Sequence, residues 1–289
     1  MQIGLIGCGN MGGGMAAQLI ENDSELICYD PNPEILSKMR NLGAICAKTA
    51  SELAQLADII ILSLPKATVV DAVMRDIVSD IRPDSIVLDT STSEPATSQA
   101  MAVLGDANGF SFIDGPVSGG PAAANAGTMT MLLGGNASAI KRLTPVLDIL
   151  TAKTVIVGGS GAGHAAKIAN NMLCAANLVL LGEAVRLGQA AGVAPEDLLQ
   201  GINAGSGRSG VSEVNFPKWI LNNAFNSGFT MGLMRKDVGL ALDLAHGTGV
   251  DLSGFAQIAD IWLNASRDIS DSADFNEIVK HDGNLDHDV

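Results

Sequence analysis

The chain has 289 residues, of which 47% are hydrophobic and 17% charged, and 33 are glycine. These values are typical of a compact globular protein long enough for two domains, and they exclude a disordered or fibrous chain. The formal net charge of −14, without a run of lysine or arginine, argues against nucleic acid and anionic membrane surfaces as partners.

The cysteines and the N-terminal residues indicate the cellular compartment of the protein. The four cysteines, at positions 8, 28, 46 and 174, lie far apart and form no pair with metal-ligand spacing. We therefore predict reduced thiols and no metal site. The N-terminal sequence MQIGLIGCGNMG starts directly with a strand pattern and shows neither a basic segment nor a cleavage site. We expect a cytoplasmic protein.

A glycine motif lies between the first two predicted elements. The apolar run MQIGLIG predicts a strand, and CGNMGGGMAAQLIEN continues as a helical pattern. Gly7, Gly9 and Gly12 form GxGxxG at this junction, and the motif encloses Asn10 and Met11. Bare backbone at a helix N-terminus is suited to receive a pyrophosphate. We assign these five residues to a dinucleotide site.

An acidic residue follows at the spacing that such a site requires. The next strand pattern, ELICYD, ends at Asp30, 18 residues after Gly12. In this unit an acidic side chain accepts hydrogen bonds from the adenosine ribose hydroxyls. Asp30 also places a negative charge where a 2′-phosphate would lie, and the next residue, Pro31, carries no cation that could pair with such a phosphate. We therefore predict NAD as the cofactor in preference to NADP. The alternative is a tight turn in a ligand-free α/β protein.

Four further apolar runs predict strands between helical patterns: GAICA near 43–47, DIIILSL at 58–64, DSIVLD at 84–89 and FSFID at 110–114. Such unalternating runs are typical of parallel sheets covered on both faces, so we predict a doubly wound sheet of the Rossmann type. Ligands lie beyond the carboxyl ends of strands in such sheets. Leu64, Pro65 and Thr92 are therefore expected beside the cofactor, although proline and hydroxyl residues are equally typical of turns.

The segment DGPVSGGPAAANAGTMTMLLGG, residues 114–135, contains a candidate anion loop. Ser118, Gly119 and Gly120 combine free backbone amides with one hydroxyl, a combination that can hold a carboxylate. The runs TMTMLLGG and TVIVGG then predict the last strands of the first domain. We place that domain at residues 1–160.

One long helix, at about residues 163–191, is predicted by GAGHAAKIANNMLCAANLVLLGEAVRLGQAAG. It is apolar on nearly every face, so we expect a helix buried all round, and its asparagines argue against a membrane span. Lys167 and Asn171 are four residues apart and share a face. Gly161 and Gly163 precede them, as expected where a ligand or another backbone comes close. The alternative for Lys167 is an ammonium that merely reaches water.

Three further helices are predicted by APEDLLQGIN, FTMGLMRKDVGLALDLAHGTGV and SGFAQIADIWLNASRDI. Residues 161–289 therefore form an all-helical domain, joined to the first by the long helix. His246, before GTG, is expected in a helix C-terminus and not as a ligand. The acidic tail HDGNLDHDV is expected to be a solvated terminus.

Four motifs in this order resemble the β-hydroxyacid dehydrogenases, the family of 3-hydroxyisobutyrate dehydrogenase and tartronate semialdehyde reductase. They are GLIGCGNMGGGM, DGPVSGGPAAANAGTMT, GAGHAAKIANN and GFTMGLMRKDVGLA, from residue 4 to residue 241. The resemblance implies oxidation of a small 3-hydroxy acid with NAD, or reduction of the corresponding semialdehyde or 3-oxo acid. It also implies a homodimer or homotetramer in which helical domains pack across the long helices.

The resemblance further implies roles for single residues. Lys167 matches the catalytic acid/base, and Asn171 matches the asparagine that holds the substrate hydroxyl or carboxylate. The SGG at Ser118 to Gly120 matches the loop that binds the substrate carboxylate. Thr92 falls at a position that contacts both cofactor and substrate.

Three more positions follow from the last two motifs. Phe229 matches a pocket wall, and Lys236 with Asp237 matches the pair that closes over the nicotinamide end. One departure bears on the substrate, because AGSGRSGVSEVNFPKWIL replaces the usual proline and glycine segment. Arg208 is the cation in the first part of this segment, AGSGRSGV, and a guanidinium there would bind a second polar group of the substrate. The alternative is an exposed arginine that serves solubility.

Two rival functions stay open from the sequence. Imine reductases share this architecture but generally lack the lysine, so Lys167 argues against them. A catalytically silent NAD(P)-binding protein of the same fold would have lost its catalytic residues, whereas Lys167, Asn171 and Ser118 are present.

Overall fold

The computed structural model describes residues 1–281. The chain divides into two compact units: the first is Met1–Lys167, and the second begins at Ile168. Lys167 therefore belongs to the first unit, although it lies in a helix that continues into the second. Most of the acidic tail, from residue 282 onwards, lies outside the described residues.

The first unit contains a mostly parallel sheet. Its strand order is β3-β2-β1-β4-β5-β6-β8-β7, with β9 paired to β8. The strands are β1 Ile3–Ile6, β2 Leu26–Tyr29, β3 Ile45–Cys46, β4 Ile59–Leu62, β5 Ile86–Asp89, β6 Ser111–Asp114, β7 Val117–Ser118, β8 Met129–Gly134 and β9 Thr151–Gly158. The first six strands are parallel throughout. Their order is that of a doubly wound Rossmann sheet, as predicted.

Helices alternate with these strands and cover both faces of the sheet. They are α1 Asn10–Glu21, α2 Pro33–Leu42, α3 Ala50–Leu56, α4 Ala67–Ile77, α5 Pro95–Asn108, α6 Gly120–Ala126, α7 Ala137–Arg142 and α8 Thr144–Leu150. In β4, Ile61 packs in one apolar cluster with Met15 of α1, whereas Ile60 packs in another with Leu53 of α3. Successive strand residues thus face different cores, which is why these strands show no polar alternation.

The far edge of the sheet departs from the parallel pattern. Strand β8 is antiparallel to both β6 and β7, and β9 is parallel to β8. The short strand β7 pairs Val117 with Met131 and Ser118 with Thr130. Ser118 is therefore fixed in a strand, and the predicted loop is shortened to the turn between β7 and α6. The two runs predicted as the last strands of this domain are strands.

The second unit is helical, as predicted. Helix α9 Ala162–Ala190 leads into it, followed by α10 Pro195–Ala204, a π-helix Val211–Ile220, α11 Met231–Thr248, α12 Ser253–Asn264 and the 3₁₀ turns Ala265–Arg267 and Phe275–Lys280. Its core surrounds Trp262, which is fully buried and donates from Nε1 to the carbonyl oxygen of Ala175 at 3.1 Å. His246 lies in the last turn of α11, which ends at Gly249 in the left-handed conformation.

The long helix is not buried all round, so that expectation was wrong. Leu173, Leu180 and Leu187 are 58%, 52% and 74% exposed, whereas Ala175 and Leu178 on another face are fully buried. Among the described residues, α9 is the one helix long and apolar enough to cross a membrane. This is weak evidence for a span, because the core helix of a soluble protein has the same length and composition.

A π-helix, Val211–Ile220, occupies most of the segment that follows Arg208. Ser209 and Ser212 begin it with reciprocal bonds, in which each backbone amide donates to the hydroxyl of the other, at 2.9 and 3.2 Å. Pro217 lies inside the helix and has no N–H to donate. At its end the amide of Leu221 donates to the carbonyl oxygen five residues earlier, at 2.9 Å, the spacing of a π-helix.

Candidate active site

The glycine motif forms a turn in which the three glycines have different surroundings. Gly7 has φ +89°, and a Cβ there would lie 2.4 Å from the carbonyl oxygen of Ser63. A Cβ on Gly12 would lie 1.9 Å from the carbonyl oxygen of Gly7. Among the described residues, nothing lies within 4 Å of the Cβ position of Gly9. The outer two glycines serve close packing, and the middle one leaves bare backbone facing open space.

This turn and the residue that holds it fit a dinucleotide. Helix α1 begins at Asn10, and its N-cap, Gly9, has no side chain that would occupy the first amides. Asp30 accepts a hydrogen bond from the Cys8 amide at 2.8 Å and another from the Asn32 amide at 2.9 Å. Each carboxylate oxygen keeps a second lone pair. A pyrophosphate at the helix N-terminus and ribose hydroxyls at Asp30 are both accommodated by these groups.

Two loops at the carboxyl ends of neighbouring strands are bonded together. The Leu64 amide, after β4, donates to Ser91 Oγ at 2.9 Å. The Thr90 hydroxyl, after β5, donates back to the carbonyl oxygen of Leu62 at 2.7 Å. Thr92 is half-buried in the second loop, and Pro65 is exposed in the first. Leu64, Pro65 and Thr92 thus lie in two loops that are bonded together at the carboxyl ends of β4 and β5.

Lys167 and Ser118, far apart in sequence, are brought into contact. Lys167 is 7% exposed, and its Nζ donates to Ser118 Oγ at 2.8 Å. Ser118 ends β7, and the next two residues turn into α6 with φ +119° at Gly119 and +65° at Gly120. A Cβ on Gly119 would lie 2.4 Å from the methyl carbon of Ala123. The ammonium of Lys167 therefore lies beside the turn predicted to bind a carboxylate, instead of reaching bulk water.

Sequence reasoning missed Asp114, which holds the start of α9. This carboxylate is fully buried at the end of β6 and accepts from the amides of Gly161 at 2.7 Å and His164 at 3.1 Å. A Cβ on Gly163 would lie 2.4 Å from the carbonyl oxygen of Leu132 and 2.7 Å from the Asp114 carboxylate. The glycines before Lys167 thus make room for another backbone, as the sequence suggested. A lone acidic residue ending an apolar strand was the available signal.

In the second unit, Asn171 is held in a defined orientation. Its Nδ2 donates to Asp237 Oδ2 at 2.5 Å, and its Oδ1 accepts from Asn170 Nδ2 at 3.0 Å. Asp237 is 1% exposed, and its other oxygen lies 3.2 Å from Lys236 Nζ. The Asp237 carboxylate thus accepts from the Asn171 amide, an arrangement that fixes which end of the amide is the donor.

The remaining predicted positions lie near the surface of the second unit. Phe229 is half-buried and packs edge-to-face against Phe275, with ring centroids 5.1 Å apart. The Arg208 side chain is 64% exposed, and its Nε lies 3.7 Å from a Glu213 carboxylate oxygen. An exposed pair of this kind contributes little to stability, so the guanidinium can leave it at little cost.

The cysteines are free thiols. Hydrogen bonding with Cys28, together with burial, raises the pKa of the Cys8 thiol, which lies inside the glycine turn. Cys8 is therefore an unreactive, packed thiol. Across residues 1–281, no cluster of three or more histidine, cysteine, aspartate or glutamate side chains has the arrangement of a metal site.

Two family models match consecutive parts of the chain. Residues 2–159 match the NAD binding domain of 6-phosphogluconate dehydrogenase. Residues 161–281 match the family described as NAD-binding of NADP-dependent 3-hydroxyisobutyrate dehydrogenase.

Individual relatives agree with these matches. The 2-(hydroxymethyl)glutarate dehydrogenase of Eubacterium barkeri is 34% identical over 265 residues, covering 91% of this chain and 88% of that protein. The probable 3-hydroxyisobutyrate dehydrogenase of Mycobacterium tuberculosis (strain CDC 1551 / Oshkosh) is 32% identical over 283 residues, 96% of each.

Solved structures of two enzyme classes share this fold. A Mycobacterium tuberculosis 3-hydroxyisobutyrate dehydrogenase with L-serine has a TM-score of 0.90 and 31% identity, covering 96% of this chain and 97% of that one. An imine reductase from Myxococcus stipitatus has a TM-score of 0.62 at 16% identity, covering 97% and 98%, which shows a shared fold alone. With its glycine turn, its lysine-bearing helix and these relatives, the chain belongs to the β-hydroxyacid dehydrogenase family and is an NAD-dependent oxidoreductase.

Proposed function

We propose that this enzyme oxidises a small 3-hydroxy acid with NAD, or reduces the corresponding semialdehyde or 3-oxo acid, with Lys167 as the general acid/base. The observation that carries the proposal is the 2.8 Å hydrogen bond from Lys167 Nζ to Ser118 Oγ. It joins a group able to move a proton to the turn that would bind the substrate carboxylate. Both lie in the same unit as the glycine turn.

Alcohol oxidation removes a proton from the hydroxyl group and a hydride from its carbon. The nicotinamide ring, when bound, accepts the hydride or returns it in the reverse direction. Lys167 takes the hydroxyl proton as a neutral amine and gives it back as an ammonium. Its bond to Ser118 holds Nζ at a defined point, so that the proton acceptor is in place before the substrate arrives.

The substrate carboxylate is assigned to the turn after β7. The backbone at Gly119 and Gly120 turns with positive φ at both residues, and Gly119 is exposed. Such a turn presents amide groups to an anion, and the Ser118 hydroxyl adds a further polar contact. We assign Asn171 to the substrate hydroxyl or carboxylate, because Asp237 fixes the orientation of its amide.

The other assignments follow the family pattern. We propose that Thr92 contacts both cofactor and substrate and that Phe229 forms a pocket wall. Lys236 and Asp237 are assigned to the nicotinamide end. Arg208 lies in the segment that departs from the family pattern, and we assign its exposed guanidinium to the distal group of the substrate.

The named relatives narrow the substrate class. Two are named for 3-hydroxyisobutyrate and 2-(hydroxymethyl)glutarate, and both compounds carry a hydroxymethyl group on the carbon next to a carboxylate. They differ in the distal group, which is a methyl in one and a carboxyethyl chain in the other. We therefore propose a substrate with a primary alcohol beside the carboxylated carbon.

NAD is proposed as the preferred nicotinamide cofactor. The Asp30 carboxylate is held by two backbone amides at the end of β2, so its charge stays where a 2′-phosphate would lie. The family named for an NADP-dependent enzyme matches residues 161–281 and does not include this position.

A homodimer, or a homotetramer built from dimers, is proposed as the assembly. Leu173, Leu180 and Leu187 lie seven residues apart on α9, which places them in one stripe, and each is more than half exposed. A row of large apolar side chains open to water favours association of a second copy. The free thiols are compatible with the reducing cytoplasm, where we place the enzyme.

The decisive experiment compares Lys167→Ala with a matched control, Lys153→Ala, whose side chain is exposed in β9. NADH absorbance is followed with 3-hydroxyisobutyrate, 2-(hydroxymethyl)glutarate and serine, and NAD affinity is measured separately. We expect Lys167→Ala to lose about 10² to 10⁴-fold in kcat, with NAD binding unchanged within a few fold and the control fully active. A Lys167→Ala enzyme that keeps more than about a tenth of the wild-type rate would remove Lys167 from the mechanism.

A further inference from the structure

The first turn of α9 is attached to the sheet on two sides. On one side Asp114 accepts from the amides of Gly161 and His164, at 2.7 and 3.1 Å. A Cβ on Gly134 of β8 would lie 2.6 Å from the same carboxylate and 2.7 Å from the amide nitrogen of Gly163. The backbone of this turn therefore has little freedom to shift relative to β6 and β8.

On the other side the His164 ring reaches the loop after β5. The ring is fully buried, and its Nε2 lies 2.9 Å from the carbonyl oxygen of Ser91. A carbonyl oxygen can only accept, so Nε2 carries a proton and donates it. The ring's Nδ1 lies 2.6 Å from the Ser98 hydroxyl in α5, which is also buried. Both ring nitrogens thus have partners, and the ring has one orientation.

These contacts join two residues of the proposed reaction. Ser91 immediately precedes Thr92, assigned above to cofactor and substrate, and its hydroxyl accepts from the Leu64 amide at 2.9 Å. Lys167 follows His164 by three residues, so both lie on the same side of the helix. The His164 ring is therefore a direct connection between the loop that holds Thr92 and the helical turn that holds Lys167.

We propose that His164 is a positioning residue for the dehydrogenase reaction, which sets where Lys167 lies relative to the Ser91–Thr92 loop. The inference rests on the proposed role of Lys167 and goes beyond it. The bond from Nε2 to Ser91 carries the effect, and Ser98 holds the ring in the orientation that makes this bond. A displacement of about 1 Å at a reacting group can cost 10²-fold in rate, so the connection has a kinetic consequence.

Two amide substitutions distinguish the contributions of the two ring nitrogens. The amide nitrogen of glutamine extends about as far along the side chain as His Nε2, so His164→Gln retains a donor for the Ser91 carbonyl oxygen. The amide of asparagine reaches only to the level of Nδ1, so His164→Asn retains a partner for Ser98 and loses Ser91. Both variants place one amide in the same buried site. His246→Asn, at an exposed histidine in the last turn of α11, is the control.

The variants are compared as full-length enzyme by kcat, KM for substrate, NAD affinity and Tm, with rates normalised to NADH-binding sites. We expect His164→Asn to lose about tenfold or more in kcat, with NAD affinity and substrate KM little changed. His164→Gln should restore most of the rate. A merely structural role would lower Tm in both variants alike and would not distinguish their kcat per binding site.

Equal kcat per binding site in the two variants would overturn the inference, as would a His164→Asn enzyme with wild-type kcat. If His164→Asn does not fold, the Ser98→Ala variant is measured in its place. The freed ring should then lower kcat at unchanged NAD affinity, and an unchanged kcat overturns the inference. Lys167→Ala distinguishes the two proposals. An inactive Lys167→Ala enzyme beside equal His164 variants refutes only the role of His164, whereas an active one refutes the role of Lys167 itself.

Discussion

Alanine substitutions at two glycines of the same turn should have different effects, one on the stability of the fold and the other on the affinity for the cofactor. A methyl on Gly12 would lie 1.9 Å from the carbonyl oxygen of Gly7, whereas a methyl on Gly9 meets nothing within 4 Å among the described residues. Gly9 has a negative φ of −65° and an extended backbone, so a Cβ there meets none of the strain of the left-handed region. Gly12→Ala therefore affects the packing of the protein, whereas Gly9→Ala affects the binding of a ligand at the turn.

The magnitudes follow from these contacts. Gly12→Ala forces backbone against backbone, since Gly7 is itself packed against Ser63, and overpacking of this kind costs about 1 to 3 kcal/mol or more. For a domain of this size each kcal/mol lowers Tm by about 2 to 4 °C. Gly9→Ala should change the free energy of unfolding by no more than about 0.5 kcal/mol. It should weaken NAD binding at least tenfold, about 1.4 kcal/mol, because the methyl occupies the approach of the pyrophosphate.

Thermal unfolding without cofactor measures the first effect, and titration with NADH followed by its fluorescence measures the second. The expected pattern is a stable, weakly binding Gly9→Ala enzyme and a destabilised Gly12→Ala enzyme. Wild-type NADH affinity in Gly9→Ala would show that the pyrophosphate does not pass over this glycine. Wild-type Tm in Gly12→Ala would show that the turn relaxes without cost, and the packing argument would fail.

Three further outcomes are expected. The enzyme should use NAD at least tenfold more efficiently than NADP, about 1.4 kcal/mol, because of Asp30; steady-state kinetics with equal efficiency would contradict this. Esterifying the substrate carboxylate should abolish activity, while Arg208→Ala should weaken only substrates with a polar distal group and spare 3-hydroxyisobutyrate; equal effects on all substrates would refute the role of Arg208. Leu180→Glu should shift the protein to monomers in size-exclusion chromatography, and an unchanged elution volume would exclude the α9 stripe as the interface.

Elements set by local pattern were predictable from sequence. The parallel strands appear as unbroken apolar runs, because residues such as Ile60 and Ile61 in β4 face different buried cores. The glycine turn combines a strand, close-packed glycines and a helix within a few residues. Lys167 and Ser118 were each identified, but their contact spans 49 positions and follows from the sheet order.

Three features could not be predicted from the sequence, for physical reasons. The bonds from Asp114 to the start of α9 span 47 and 50 positions and depend on long-range packing, so an acidic residue at a strand end does not indicate its partners. The π-helix contains Pro217, which normally predicts a break. An apolar helix face looks the same in sequence whether a core or a second copy covers it, so the exposure of Leu180 was not foreseen.

The two amide bonds to Asp30 constrain how cofactor choice can change. Removing this carboxylate to admit a 2′-phosphate also removes the acceptors for Cys8 and Asn32. Hydrogen bonds to a charged group contribute about 1.5 to 3 kcal/mol each, so a single substitution loosens the turn that receives the pyrophosphate. An engineered or evolved NADP enzyme on this scaffold therefore needs a small polar acceptor, such as serine or asparagine, at position 30, and a cation placed elsewhere in the β2–α2 loop to pair with the phosphate.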